Sequence, residues 1–105
     1  MLLNKEKVLK TLGLARRAGK VASGEDNVLK LLRENKLKFV FIASDASKKQ
    51  IDKFTKKCFY YNVDVNNDFT CEELSNAIGK PMCKYLGITD QGFLDALKKS
   101  LMEVL

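Results

Sequence analysis

No histidine occurs anywhere in the 105 residues. A nucleophile–histidine–acid arrangement therefore lacks its usual base. Cys58, Cys71 and Cys83 are too few and too widely spaced to offer a zinc site. Their odd number also excludes a complete disulfide framework, and they fit reduced thiols in a cytosol. Long apolar runs are missing too. Nothing approaches the roughly 20 residues needed to span a bilayer, and the first residues, Met1 to Lys7, carry no apolar signal region. Membrane insertion and secretion are disfavoured, and a cytoplasmic protein is expected. The glycines at 13, 19, 24, 79, 87 and 92 match neither G-x-G-x-x-G nor the G-x-x-x-x-G-K-[ST] phosphate loop. No cofactor, metal or small-molecule substrate is expected, and an enzyme is disfavoured.

What is present is positive charge, unevenly placed. Residues 1–57 hold fifteen Lys/Arg against six Asp/Glu, whereas residues 58–105 hold four against seven. Fixed cations on one part of a domain attract polyanions and release their condensed counterions on contact, although basic composition also serves solubility alone. With 46% apolar and 30% charged residues, the chain has the balance of one globular domain spanning 1–105.

Helical and extended patterns alternate along the whole length. Val8, Leu12 and Ala15 recur at helical spacing between Asn4 and Ala18, with Leu9 and Leu14 widening the stripe and Gly19 as a stop. Lys20 to Ser23 is a short β-compatible stretch. Ser23 ahead of Gly24, Glu25 and Asp26 has the pattern of a serine N-cap, and Val28, Leu31 and Leu32 give the second helix a buried face. Phe39 to Ala43 is too short an apolar run for a helix and predicts a strand buried on both faces. Ser47 with Gln50 forms a capping box for a third helix through Ile51, Phe54, Cys58 and Tyr61. Val63 to Val65 alternates as a strand, and Thr70 with Glu73 caps a fourth helix through Leu74, Ala77 and Ile78, ended by Gly79 and Pro81. Met82 to Ile88 predicts the last strand. Thr89 or Asp90 opens a terminal helix with Phe93, Leu94, Leu97, Leu101 and Leu105 inward. This order predicts an α/β domain with helices on both faces of a sheet of about four strands, without linker or repeat.

Glu25 and Asp26 are neighbouring carboxylates, but adjacency on a helix turns the two side chains about 100° apart, which disfavours shared acid–base work. Their simplest role is dipole compensation at the helix start. A carboxylate also accepts two donors at once, as guanine N1–H and N2–H₂ present them, and Asn27 both donates and accepts. Arg17, Lys20 and Lys30 would then supply phosphate attraction. The lysines of the third helix fit a solvated face, and Phe59, Tyr60 and Tyr61 fit core or edge packing.

Several spaced motifs together carry a resemblance that covers the whole chain. They are Leu12-Gly13-Leu14-Ala15-Arg16-Arg17-Ala18-Gly19-Lys20, Gly24 opening the second helix, and Phe41-Ile42-Ala43-Ser44-Asp45-Ala46-Ser47. Glu73-Leu74-Ser75-Asn76-Ala77-Ile78-Gly79-Lys80-Pro81 and Gly87-Ile88-Thr89-Asp90-Gln91-Gly92-Phe93 complete the set. In this order the chain resembles the L7Ae/L30e ribosomal protein family, in particular its bacterial stand-alone members. The resemblance implies a three-layer α/β/α sandwich that recognises the kink-turn, a sharply bent RNA element with sheared G·A pairs. By that resemblance, Gly24, Glu25, Asp26, Asn27 and Lys30 would meet the guanines. Lys80, Pro81 and Met82 would cover a flipped-out nucleotide, with Ser44, Asp45 and Ala46 nearby. Many members carry Gly-x-Asn-Glu at the second helix, whereas this chain has Gly24-Glu25-Asp26-Asn27, with amide and acid exchanged in order. The expected partner is structured RNA, with ribosomal RNA among the candidates. A protein–protein module docking a ribosomal or transcription partner through the lysine-rich third helix is the alternative.

Overall fold

Four consecutive apolar residues, Phe39, Val40, Phe41 and Ile42, are all buried at the centre of the molecule. The computed structural model describes residues 2–102, with side chains for 5–100. Its elements in chain order are α1 (Leu2–Arg17), β1 (Val21–Ser23), α2 (Glu25–Arg33), β2 (Phe39–Ile42) and α3 (Lys48–Tyr60), followed by β3 (Asp64–Asn66), α4 (Cys71–Ile78), β4 (Tyr85–Ile88) and α5 (Gln91–Met102). The strands form one mixed sheet in the order β1-β4-β2-β3, with β2 parallel to β3 and the other pairs antiparallel.

Successive side chains on a strand point to opposite faces, so β2 feeds two cores. Phe39 and Phe41 join Val8 and Leu12 of α1, Leu74 and Ile78 of α4, and Leu94 and Leu97 of α5. Val40 and Ile42 join Val28, Leu29 and Leu32 of α2 and Phe54 and Cys58 of α3. Tyr85 belongs to this second core and stacks on Phe54, with ring centroids 3.8 Å apart. The result is the expected three-layer α/β/α sandwich. Both thiols sealed in these cores, Cys58 and Cys83, are pushed up to about 11 by burial and stay protonated at neutral pH. Gly87 in β4 has a steric reason, because a Cβ there would come within 2.6 Å of Leu37 Cδ2, which lies over the strand.

Both capping boxes form. Gln50 N–H donates to Ser47 Oγ at 3.1 Å and Ser47 N–H to Gln50 Oε1 at 3.2 Å. Glu73 N–H donates to Thr70 Oγ1 at 3.1 Å and Thr70 N–H to Glu73 Oε1 at 2.9 Å. Asp90 opens α5, its carboxylate accepting from Phe93 N–H at 3.1 Å.

Four expectations need correction. Leu14 is 55% exposed, because it falls well off the Val8–Leu12–Ala15 line on the helix. The last strand begins at Tyr85 and not at Met82, since Cys83 N–H is drawn away to Ser75 Oγ at 2.8 Å. Ser23 is the last residue of β1 and not a cap, as described below. Phe59 and Tyr60 are 83% and 78% exposed, because Phe54, Cys58 and Tyr61 already occupy the inward side of α3. Leu105 and the side chain of Leu101 lie outside the described residues.

Glu73 ties α4 to α1 through an ion pair with Lys5 Nζ at 3.3 Å, and Lys5 also lies 5.2 Å from the Phe69 ring centroid. The Thr70 backbone N–H, with Lys5, holds the Glu73 carboxyl below its ordinary value of 4.5. A carboxyl lowered by folding contributes stability that is present above its unfolded pKa and lost as pH falls through the folded one. Replacing Thr70 by Ala is expected to cost about 1 kcal/mol in urea unfolding at neutral pH. Glu73→Gln should lose stability at neutral pH and show a shallower further loss below pH 4.5 than the parent protein. Parallel acid limbs for the two proteins would refute this assignment.

Candidate nucleic-acid interface

The chain leaves the sheet at Ser23 and enters α2 two residues later, and Gly24 makes that turn. Its φ of 92° and ψ of 153° lie in a region essentially restricted to glycine. Gly24 N–H donates to Tyr85 O at 3.1 Å, anchoring the turn to β4, while its own carbonyl accepts from Val28 N–H at 3.0 Å. Gly24 is therefore the N-cap residue, and no side chain makes a capping hydrogen bond there. Ser23 contributes its carbonyl, which accepts from Asn27 Nδ2 at 3.0 Å and orients the Asn27 amide.

The consequence is a helix start whose first-turn N–H groups lack intrahelical acceptors and carry the positive end of the helix dipole. Glu25, Asp26 and Asn27 are exposed on it, and Lys30 follows one turn later on the Asp26 side. The Tyr85 hydroxyl, within electrostatic reach of Glu25, is buried without a hydrogen-bond partner among the described residues. Burial, and secondarily the Glu25 carboxylate, raise the pKa of this phenol.

Beside this turn lies an open groove of about 480 Å³, lined by Arg16, Val21, Ala22, Ser23, Asn27, Ile78 and Lys80. It draws on α1, β1, α2 and the end of α4. Asn27 and Lys80, fifty-three positions apart in sequence, thus meet across one surface. Lys80, Pro81 and Met82 are exposed, with Met82 at 76%. This loop is held from below by Ser75, a buried polar side chain, which donates to Cys71 O at 2.6 Å and accepts from Cys83 N–H.

The other expected residues fall elsewhere. Arg17 lines a separate outer groove with Leu9, Lys10, Gly13, Leu14 and Ala77. Lys20 sits at the opposite end of β1 from Gly24, about 13 Å away along an extended chain. Its carbonyl accepts from Thr89 N–H at 3.0 Å. Ser44 N–H donates to Phe69 O at 2.8 Å, and Asp45 Oδ1 accepts from Cys71 N–H at 2.9 Å, so this loop steadies the start of α4. Asp45 and Ser44 remain exposed but do not line the groove.

Two contributors escaped the sequence reading. Arg16 was legible in helical phase: taking Val8 as the buried direction, Arg17 points directly away while Arg16 flanks the buried stripe. Ser75 offered no local signal, since its partner Cys83 comes from beyond the turn. No group of His, Cys, Asp and Glu among the described residues is arranged to hold a metal ion. No helix among them is long and apolar enough to cross a membrane.

The fold and this surface define an α/β/α sandwich with a glycine-opened helix beside a basic groove. Residues 6–98 match the model of the ribosomal protein L7Ae/L30e/S12e/Gadd45 family, and the chain belongs to that family. It is 40% identical over 96 residues to the RNA-binding protein YlxQ of Enterococcus faecium, covering 91% of this chain and 92% of that protein. It is 43% identical over 86 residues to the RNA-binding protein YlxQ of Bacillus subtilis, covering 82% and 86%. Among solved structures, a protein of unknown function from Bacillus halodurans superposes with a TM-score of 0.86 at 32% identity, covering 91% of this chain and 97% of that one. A Giardia lamblia 15.5kD RNA binding protein shares the fold, with a TM-score of 0.78 at 16% identity over 96% and 87% of the two chains.

A Cβ at Gly24 would meet nothing within 4 Å, so any penalty for filling it comes from the backbone alone. Gly24→Ala is expected to destabilise the protein by about 1–3 kcal/mol in chemical denaturation. An unchanged midpoint would show that the turn relaxes without strain.

Proposed function

We propose that this chain is a non-catalytic module that binds structured RNA of the kink-turn type in the cytosol, as a ribosome-associated or ribosomal-protein-like factor. The observation that carries the reading is the uncapped first turn of α2, opened by Gly24 and presenting Glu25, Asp26 and Asn27 beside a groove with Arg16 and Lys80. Family membership and the RNA-binding relatives support it.

Each group has a chemical task in this reading. Asp26 accepts from the Watson–Crick edge of a guanine displaced from ordinary pairing, and Asn27, with one amide hydrogen committed to Ser23, adds a directed polar contact. Arg16, Lys30 and Lys80 neutralise phosphates, which sets affinity and salt dependence but not sequence preference. Pro81 and Met82 offer apolar cover to an unstacked nucleotide. The exchanged order of acid and amide after Gly24 favours base contacts that differ in detail from those of the Gly-x-Asn-Glu members. Free, protonated Cys58 and Cys83 suit a reducing compartment.

The test is a titration of a kink-turn duplex against the same duplex with its G·A pairs replaced. The intact protein should prefer the first, and equal affinity would sink the specific reading. Asp26→Ala should erase most of the preference while leaving the salt slope nearly unchanged. Lys30→Ala should weaken both complexes and reduce the slope by about one. If the two variants behave alike, the division between base reader and phosphate contact is wrong.

A further inference from the structure

The outward side of α3 is unlike the groove in kind. Lys49, Lys53, Lys56 and Tyr60 succeed one another at steps of four, three and four residues, so they form one stripe along the helix, with Phe59 beside its end. Lys48 and Lys57 add to the charge, and Asp52 is the single carboxylate of the helix. The ion pairs Lys5–Glu73, Lys36–Glu34 and Lys98–Asp64 all lie off this helix. Among the described residues, the stripe therefore carries concentrated charge without an ion-pair partner.

At its end stand two large rings with no seat in the core. Phe59 and Tyr60 are 83% and 78% exposed, and the inward positions are filled by Phe54, stacked on Tyr85, and by Cys58. Tyr60 makes a perpendicular contact with Tyr61, centroids 4.9 Å apart, which steadies the ring while leaving it in solvent. Lysines alone would serve any polyanion, duplexes included. Rings beside them select for bases that are not already stacked in a helix.

We propose that the outer face of α3, through Lys49, Lys53, Lys56, Phe59 and Tyr60, binds an unpaired RNA strand continuing from the structured element held at α2. The proposal rests on the reading above in taking RNA as the ligand. Topology supplies the path. Because β2 and β3 are parallel, α3 must start near the end of β2 and run back beside the sheet. Its start follows the loop at Ala43, whose N–H donates to Lys84 O, on the same end of the sheet as Gly24 and Tyr85. From there the helix carries the lysines about 18 Å to Tyr60.

The experiment compares three RNAs: the kink-turn duplex, that duplex with an unpaired tail of about twelve uridylates, and the free oligouridylate. Each is titrated against the intact protein, F59A/Y60A and K53E/K56E, with circular dichroism confirming that both variants fold. The tail should raise the affinity of the intact protein about tenfold. F59A/Y60A should lose that gain while binding the bare duplex as before, and K53E/K56E should lose it with a reduced salt slope. The free oligouridylate should bind the intact protein more tightly than F59A/Y60A. Absence of a gain from the tail, or a gain untouched by loss of the rings, would overturn the proposal. So would a ring-dependent complex with a protein that survives nuclease when the tail gives no gain. Failure of G·A discrimination with a ring-dependent gain intact would instead remove the reading of α2 and support the α3 surface.

Discussion

The hydrogen bond from Gly24 N–H to Tyr85 O fixes the place where the sheet ends and the exposed helix begins. Tyr85 opens β4, the strand that pairs with both β1 and β2, so its carbonyl belongs to the most constrained part of the sheet. Anchoring the turn there sets the position of Glu25, Asp26 and Asn27 relative to the loop that precedes β4. That loop is itself tied through Ser75 to α4. Two segments distant in sequence are thus tied by hydrogen bonds to one central strand and to α4, and both contribute to the groove.

Charge follows the layers of the sandwich. The basic half of the chain supplies α1 to one face of the sheet and α2 and α3 to the other. A surplus that looks continuous in sequence is therefore divided by the fold into separate surfaces. Arg16 reaches the groove beside α2, Arg17 turns outward, and the α3 lysines form their own stripe. Acidic groups at the start of α2 sit among cations with two compatible roles. They complement the helix dipole, and they remain exposed for outside donors.

Much of the fold was legible because its signals are local. Helical stripes, the Ser47–Gln50 and Thr70–Glu73 boxes and the doubly buried Phe39–Ile42 strand depend on residues a few positions apart. The serine cap at Ser23 failed for an equally physical reason. Strand pairing with β4 extends through Ser23, and only glycine takes the conformation required next, so the cap moved one residue along. Phe59 and Tyr60 were misjudged because aromatic character favours burial in general, while the helical phase of α3 had already filled its inward positions.

The sequence by itself determined the alternation of elements, their caps, the two-faced central strand and the basic first half, since each is encoded by composition or by spacing within one or two turns. Only the tertiary structure decided that Arg16, Asn27 and Lys80 share one groove, that Asp45 is engaged by Cys71, and that Ser75 holds the Lys80–Met82 loop. Those outcomes depend on contacts closed across the fold, such as Asp45–Cys71 at twenty-six positions and Lys5–Glu73 at sixty-eight. Such contacts exist only once strand order and layer packing have brought their partners within reach.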